Sequence, residues 1–260
     1  MTGSVQRSNV NYDIIWRKYA PNGQLLLAKR LDVFGGQDEG KSIAVDDSGN
    51  VYVAGYQTAP ETGLDIWIGK FAPGGKLLWV RQVSDPDLGD DLAFDLAVKS
   101  DRLAVVGSYF VGGQGSNGWV RLYNLNGEKL WTRMFNGLAN RDDYARSVAI
   151  GGDGSVYVAG SITRSVSPWN EEMFVRRYSA SGARIWTRTT KDTANDEDEA
   201  LGIAEKGDYL YVTGMFNGSE GGPVFGDGFI RRYSLSGTQI WTKTFAGSAG
   251  LNDYGRCSYR

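Results

Sequence analysis

IGKFAPGGKLLW, residues 68–79, decides the fold because varied copies of it recur along the chain. An earlier copy reads WRKYAPNGQLLL at residues 16–27. The turn glycines of the five copies are Gly23, Gly75, Gly127, Gly182 and Gly237, so the spacings are 52, 52, 55 and 55 residues. Self-similarity at a nearly fixed period of this length indicates a repeat protein, in which each copy forms one structural unit.

Apolar residues flank each turn glycine at fixed positions. An aromatic residue lies four positions before the glycine, and an aliphatic residue three positions after it is followed in most copies by tryptophan, as in Phe71, Leu78 and Trp79. Adjacent residues on a strand point to opposite faces of the sheet, so apolar residues at both positions predict a sheet that is covered on both sides. The sequence therefore predicts stacked sheets.

A second hairpin lies between consecutive copies. Its later strand reads VYVAG at 51–55, LAVVG at 103–107, VYVAG at 156–160 and LYVTG at 210–214. Two hairpins per repeat make four strands. A four-stranded unit of this length, covered on both faces by its neighbours, predicts an all-β fold of β-propeller blades.

Gly35-x-x-x-x-Gly40-Lys41-Ser42 matches the phosphate-binding P-loop pattern letter for letter. A P-loop requires a strand before the glycine-rich turn and a helix N-terminus after it. Here Ser42 leads instead into a strand, a turn and another strand. The later repeats keep acidic residues at this place and lose Gly-Lys-Ser, so we interpret the match as chance.

The composition excludes several function classes. The chain contains no histidine, which removes Ser-His-Asp catalysis, histidine-ligated zinc and histidine acid-base chemistry. A net charge of −2 and a pI near 5.4 predict no attraction to nucleic acid. No apolar run is long enough for a membrane span, and the start of the chain resembles no signal peptide. The single Cys257 leaves the compartment open.

The repeat resembles a known family. SIAVDDSGNVYVAG at 42–55, followed by DIWIGKF at 65–71 and GKLLW at 75–79, is similar to the bacterial beta-propeller repeat known as SBBP, and more distantly to NHL repeats. The resemblance covers about residues 12–256. It implies an extracellular or cell-surface scaffold of bacterial origin, and it brings no catalytic residue with it.

By analogy with other propellers, we expect an N-terminal tail at 1–11 and a repeat domain at 12–260. The expected blades are 42–83, 94–135, 147–190 and 202–245, and a partial closing blade would combine 13–30 with 253–260. Either about five blades close a ring with an incomplete last blade, or the chain is a fragment of a larger propeller.

Acidic residues lie on the connection that enters the innermost strand of each expected blade. They are Asp38, Glu39, Asp90, Asp91, Asp142, Asp143, Asp198, Glu199 and Asp253. A ring would gather them around one mouth of its channel, where they could bind a cationic partner or Ca²⁺, the one cofactor that we consider. Alternatively they cap turns or pair with nearby bases, and recurrence once per blade favours this structural role.

We therefore expect a non-enzymatic scaffold that presents loops to a protein or glycan partner. The expected loops are 108–118, 161–172 and 215–228, and Trp169, which lies outside the repeat, is the candidate for a ligand contact. The competing function is a carboxylate-dependent, glycan-active enzyme at the channel mouth, because Asp and Glu alone can cleave glycosides. Such a site needs two carboxylates in different environments, whereas these acids are near-equivalent copies.

Overall fold

The protein folds entirely as β-strands and turns in a computed structural model that describes residues 1–8, 11–32, 35–84, 89–166, 169–189, 198–216, 227–245 and 255. No helix occurs among these residues, which confirms the all-β prediction. None of them therefore forms a helix with the length and apolar character needed to cross a lipid bilayer.

The strands form five antiparallel sheets that follow one another along the chain. The first sheet contains β1 (Thr2–Ser8), β2 (Asn11–Tyr19) and β3 (Leu25–Leu31). The second contains β4 (Glu39–Val45), β5 (Val51–Ala59), β6 (Gly63–Phe71) and β7 (Leu77–Val83). The third contains β8 (Leu92–Lys99), β9 (Arg102–Val111), β10 (Gly115–Asn124) and β11 (Lys129–Phe135).

The fourth sheet contains β12 (Tyr144–Ile150), β13 (Val156–Val166), β14 (Trp169–Tyr178) and β15 (Arg184–Thr189). The fifth contains β16 (Glu199–Lys206), β17 (Tyr209–Phe216), β18 (Asp227–Ser234) and β19 (Gln239–Phe245). Within each four-stranded sheet the strands pair in chain order, so the predicted unit of two consecutive hairpins is confirmed.

Consecutive sheets stack through their first strands. β8 packs against β4, β5 and β6, β12 packs against β8, β9 and β10, and β16 packs against β12, β13 and β14. The buried apolar residues form four clusters, each between two consecutive sheets. Among the described strands, no extensive packing joins the fifth sheet to the first.

Among the described strands, none is the first sheet's counterpart of the innermost strand. β4 packs against β1 and β2 in the way that β8 packs against β5 and β6, so β1 stands in the place of a second strand. Its pairing with β2 runs from Thr2↔Trp16 to Ser8↔Asn11. The segment 1–11, expected to be a tail, thus contributes a strand; it has no match to the repeat pattern that would have indicated one.

Each four-stranded sheet begins two or three residues before the expected blade start. A one-residue β-bulge explains the difference: Gly40 pairs with Gly55 and Ser42 with Ala54, which leaves Lys41 without a partner. The counterparts of Lys41 in the next sheets are Phe94, Arg146 and Leu201. On the N-terminal side of each bulge, the first strand still pairs with the second strand. The first strand is therefore longer than the segment in which side chains alternate regularly between the two faces.

The prediction that both adjacent apolar positions of the outer strand are covered is wrong. Trp131 is 8% exposed, whereas its neighbour Leu130 is 44% exposed. Leu130 is the extra residue of a second bulge, because Leu122 pairs with Trp131 and Tyr123 with Lys129. A bulge interrupts the alternation of side chains, so the extra residue stays outside the stack. The exposed residues at this position are Leu26, Leu78, Leu130, Ile185 and Ile240.

Candidate functional site

Four of the candidate acids occupy one equivalent position ahead of the first strand of a sheet. They are Asp38, Asp91, Asp143 and Asp198, and each is at most 2% exposed. The backbone N–H of each donates to a carbonyl oxygen of the preceding sheet, at 2.8 Å to Tyr12, 2.6 Å to Leu64, 2.6 Å to Ser116 and 2.9 Å to Glu171. These residues therefore join consecutive sheets.

The carboxylates of three of these residues accept hydrogen bonds from backbone N–H groups. Asp38 Oδ1 accepts from Thr58 at 2.9 Å, and Asp91 Oδ1 accepts from Phe110 at 2.9 Å. Asp143 accepts from Thr163 at 2.7 Å through Oδ1 and from Gly137 at 2.5 Å through Oδ2. Each carboxylate satisfies backbone donors near the end of a hairpin, which is a structural task.

The remaining candidate acids have different roles. In two of the acidic pairs the buried residue comes first, and in the other two it comes second, so the pairs are not equivalent residue by residue. Asp90 Oδ1 accepts from the N–H of Leu64 at 3.1 Å, and Asp142 Oδ1 accepts from that of Ser116 at 2.8 Å. Glu39 and Glu199 lie one residue beyond the buried position and form ion pairs, described below. Asp253 lies outside the described residues.

Burial perturbs the carboxyl group of Asp143. The pKa of this group is raised to about 6, chiefly because burial desolvates the charged form. The two N–H groups lower the pKa in part, and the nearby charge of Asp142 contributes to the rise. A carboxyl group titrating near neutrality is a typical general acid. This side chain, however, is fully buried, so it touches no substrate in this conformation.

Aromatic rings and cations lie at the entry to the first strands, on the side of the buried acids. The guanidinium of Arg146 stands 4.9 Å from the ring centre of Phe94 and 4.1 Å from that of Tyr144, and it pairs with Glu199. Two sheets earlier, Lys41 Nζ lies 2.9 Å from Glu39 Oε2 and 5.4 Å from the Tyr56 ring centre. We call Lys41, Tyr56, Phe94, Tyr144 and Arg146 the entry patch.

Asp95 is the residue that sequence reasoning missed. Its carboxylate accepts from Ser42 Oγ at 2.7 Å, from Ser147 Oγ at 2.8 Å and from two backbone N–H groups. Ser147 Oγ in turn accepts from the N–H of Ile203. The surrounding protein raises the pKa of Asp95 by desolvation, although the side chain keeps some exposed surface. Four first strands thus meet in one hydrogen-bond network.

A signal for Asp95 was present in the sequence. Its counterparts are Ser42, Ser147 and Gly202, so an acid stands once where the other copies have a small residue. An acid at one copy of a repeat position indicates a hydrogen-bonded site, because a carboxylate between stacked sheets needs donors from the adjacent sheets.

Two expected loops are largely strand. In the loop expected at 108–118, only the residues between the end of β9 and the start of β10 lie outside strands. The loop expected at 161–172 consists mostly of β13 and β14. Trp169 begins β14 and pairs with Val166. In the third expected loop, 215–228, residues 217–226 lie outside the described residues.

No group of three or more Asp, Glu, His or Cys residues suited to a metal ion occurs in the described part of the chain. Calcium binding at the channel mouth stays a prediction.

The stacked four-stranded sheets, joined through buried connections, have the architecture of β-propeller blades. Residues 34–56 match the family model described as SBBP, beta-propeller repeat. The resemblance to this family is thereby confirmed for the repeat that contains the Lys41 bulge. No curated protein matches the chain.

Solved structures share the fold at low sequence identity. A protein of unknown function from Dyadobacter fermentans is 15% identical with a TM-score of 0.52, covering 78% of this chain and 67% of its own. A lignostilbene dioxygenase from Pseudomonas brassicacearum is 12% identical with a TM-score of 0.50, covering 89% of this chain and 56% of its own.

The apocarotenoid oxygenase of Synechocystis, in a mutant form, is 12% identical with a TM-score of 0.51, covering 94% of this chain and 57% of its own. This chain spans little more than half the length of the two oxygenases. At such identities the likeness concerns the fold alone, so it carries no activity over to this chain.

Proposed function

We propose that this protein is a non-enzymatic β-propeller scaffold that binds a protein or glycan partner on the face bearing the entry patch. The observation that supports this most is the use of the recurring acids. Asp38, Asp91 and Asp143 are buried and bind backbone N–H groups, so they fix hairpins in place. A rigid framework that presents variable positions suits recognition.

The entry patch supplies suitable contact groups. Phe94, Tyr144 and Arg146 keep part of their surface exposed, and the guanidinium stacks on both rings. Aromatic and arginine side chains dominate the energetics of many binding surfaces because they combine apolar area with a polar group. A protein surface or a sugar ring has the matching chemistry.

Binding of the purified protein to a glycan array and to candidate partner proteins would test this proposal. We expect Tyr144→Ala to weaken the interaction at least tenfold. Tyr209→Ala is the matched control, because the Tyr209 ring also stacks with an arginine, Arg232, but at the opposite end of its sheet. Equal loss of binding in the two variants would contradict a site at the entry patch.

The competing function is a carboxylate-dependent enzyme acting on glycans. The raised pKa of Asp143 beside Asp142 favours it, because two carboxyl groups in different environments can divide acid and base roles. The burial of Asp143 argues against the enzyme, because a substrate cannot reach a buried carboxyl group. Saturable glycan turnover that is lost in Asp143→Asn while folding is retained would establish the enzyme and end the scaffold proposal.

We further propose that the sheets close a ring of about five blades. Gly255 corresponds in the repeat to Ala200, and its N–H donates to the carbonyl oxygen of Gly214 in β17 at 3.1 Å. Residues 253–260 would then supply the innermost strand beside β1. Membership of a larger propeller is the alternative. An extracellular or cell-surface location is proposed from the family resemblance, and fractionation of the source cells would test it.

A further inference from the structure

A cavity of about 480 Å³ lies between the fourth sheet and residues 136–138, the connection that follows the third sheet. Its wall on the third-sheet side is the segment Asn136–Leu138, and its wall on the fourth-sheet side includes Arg164, Arg176 and Arg184. The volume falls within the range of small-molecule sites. We infer that this cavity binds the anionic group, a carboxylate, sulfate or phosphate, of a small ligand.

Arg176 is the central observation. Its side chain is buried, with 7% of the residue exposed, and no carboxylate of the described residues lies within ion-pair distance. Nε donates to Thr187 Oγ1 at 3.0 Å and Nη1 to the Tyr178 hydroxyl at 3.2 Å, which leaves Nη2 without an acceptor among the described residues. A buried cation without a counterion is costly, and an anion in the cavity would remove that cost.

The aromatic rings around Arg176 stabilise its charge only in part. Its guanidinium carbon lies 4.5 Å from the ring centre of Phe135 and 5.0 Å from that of Phe174. Cation–π contacts offset only part of the free energy that desolvation of an ion costs. Arg176 lines the cavity, so a counterion bound there could lie next to its guanidinium.

Two further arginines line the same cavity. Arg164 pairs with Glu172 at 2.9 Å, so its charge is balanced, whereas Arg184 is exposed and forms no ion pair with the described residues. None of the described residues that line the cavity is acidic, and the hydroxyl groups of Thr187 and Thr189 add hydrogen-bond donors. The cavity therefore has an excess of positive charge and of donors, the arrangement that binds oxyanions.

The other sheets show that this combination is not a by-product of the repeat. Arg121 and Arg231 make the same bonds as Arg176, to a threonine and a tyrosine two residues on, so the arginine itself recurs. The counterparts of Arg164 are Ala59 and Val111, and those of Arg184 are Leu77, Lys129 and Gln239. Within the described residues, the fourth sheet alone combines all three arginines. This site stands independently of the partner proposed above.

The test is a titration of the isotope-labelled full chain with sodium sulfate, followed by NMR at constant ionic strength maintained with NaCl. We expect saturable shifts of the Arg176 Nε–H and of the Gly137 and Leu138 amides, with a dissociation constant of about 1–10 mM, as for one small oxyanion. Arg184→Gln and Arg164→Gln are each expected to weaken the affinity at least fivefold.

Arg188→Gln is the matched control, since it removes the same charge from the same strand while the Arg188 side chain binds the carbonyl oxygen of Gly237 in the fifth sheet. This variant should bind sulfate like the parent protein. Shifts that do not saturate, or an equal loss of affinity in the Arg184 and Arg188 variants, would overturn the assignment. Arg184 is exposed, so its replacement leaves the fold intact and the test readable.

Discussion

The indole Nε1 of Trp131 donates to the carbonyl oxygen of Ala180 at 2.9 Å and ties the outer strand of the third sheet to the outer turn of the fourth. Two residues on, Arg133 Nε donates to the carbonyl oxygen of Gly182 at 2.8 Å while its guanidinium stacks on the same indole. Trp79 with Arg81, and Trp186 with Arg188, make the same two hydrogen bonds in the neighbouring sheets. We call this pair of bonds from a tryptophan and an arginine to the turn of the next sheet the outer latch.

Trp131→Phe should lower the free energy of unfolding by about 1–3 kcal/mol, because it removes the hydrogen bond, leaves the Ala180 carbonyl without its donor and takes away ring area. Urea unfolding monitored by circular dichroism measures the change. Leu130→Ala is the neighbouring control, since Leu130 is exposed, and it should cost no more than about 0.5 kcal/mol. Equal costs would show that the latch contributes nothing.

Trp241→Phe tests whether the ring closes. Trp241 is the counterpart of Trp131 in the fifth sheet, but the structure shows no acceptor for its Nε1 among the described residues. In a closed ring the acceptor would be the carbonyl oxygen of Pro21, which corresponds to Ala180 in the repeat. Closure predicts a cost similar to that of Trp131→Phe. A cost near zero, with the Trp241 indole N–H exchanging freely in NMR, would favour membership of a larger propeller.

Asp95→Asn should destabilise the protein by about 2–3 kcal/mol, because an amide has one acceptor oxygen where the carboxylate serves four donors. Chemical denaturation gives the value. Asp101→Asn is the control, because Asp101 is an exposed residue paired with its neighbour Arg102, and surface pairs contribute little. If the two variants were equally stable, the network at Asp95 would not hold the first strands together.

The stability of the protein should carry a pH signature of Asp143. Its folded pKa of about 6 lies above the ordinary value of 3.8, so the protonated form favours the folded state. The contribution is fully present below about pH 3.8 and is lost as the pH rises through about 6. The unfolding free energy of the parent minus that of Asp143→Asn should therefore fall by at most about 3 kcal/mol over this window.

A ¹³C NMR titration of the Asp143 carboxyl group provides the direct measurement, with a midpoint expected near 6. Asp142→Asn is the control and should lower this midpoint, because the charge of Asp142 raises the pKa of Asp143. A midpoint at the ordinary value of about 4 would contradict the burial that the structure assigns to Asp143.

Gly160→Ala should prevent folding or cost more than about 3 kcal/mol, because a methyl group there would stand 1.9 Å from the backbone oxygen of Tyr144. This oxygen belongs to the strand that carries the Arg146 bulge, so it cannot move aside alone. Gly152→Ala is the control, since an added methyl group meets nothing within 4 Å. Thermal unfolding of both variants checks the pair, and a Gly160 variant as stable as the Gly152 variant would be inconsistent with this contact.

The repeat and its strands were readable from the sequence because they depend on local requirements. Gly75 has φ of 82° and Gly182 has φ of 83°, a backbone conformation that glycine adopts at little cost, so each turn is marked by one residue. The aromatic residue before each turn is buried in most sheets, as in Phe71 and Tyr178. Spacing and residue type sufficed for these features.

The bulges and the roles of the acids were not readable because they depend on pairing between distant residues. Lys41 and Leu130 look like ordinary strand residues, and only the partner strand shows that each is extra. Whether Asp38 or Glu39 is buried depends on the N–H of Thr58, twenty positions away. The arginine cavity combines three strands of the fourth sheet with the connection at 136–138, and the repeat pattern of the strands does not indicate this arrangement.

The bulges in β4, β8, β12 and β16 give the protein positions at which evolution can change chemistry without changing architecture. A residue with no cross-strand partner is free from the pairing preferences that constrain its neighbours, and its side chain stands beside the entry to the sheet. The present occupants are Lys41, Phe94, Arg146 and Leu201: two cations of different geometry, an aromatic ring and an aliphatic chain. One scaffold can thus acquire a new specificity through single substitutions at four sites.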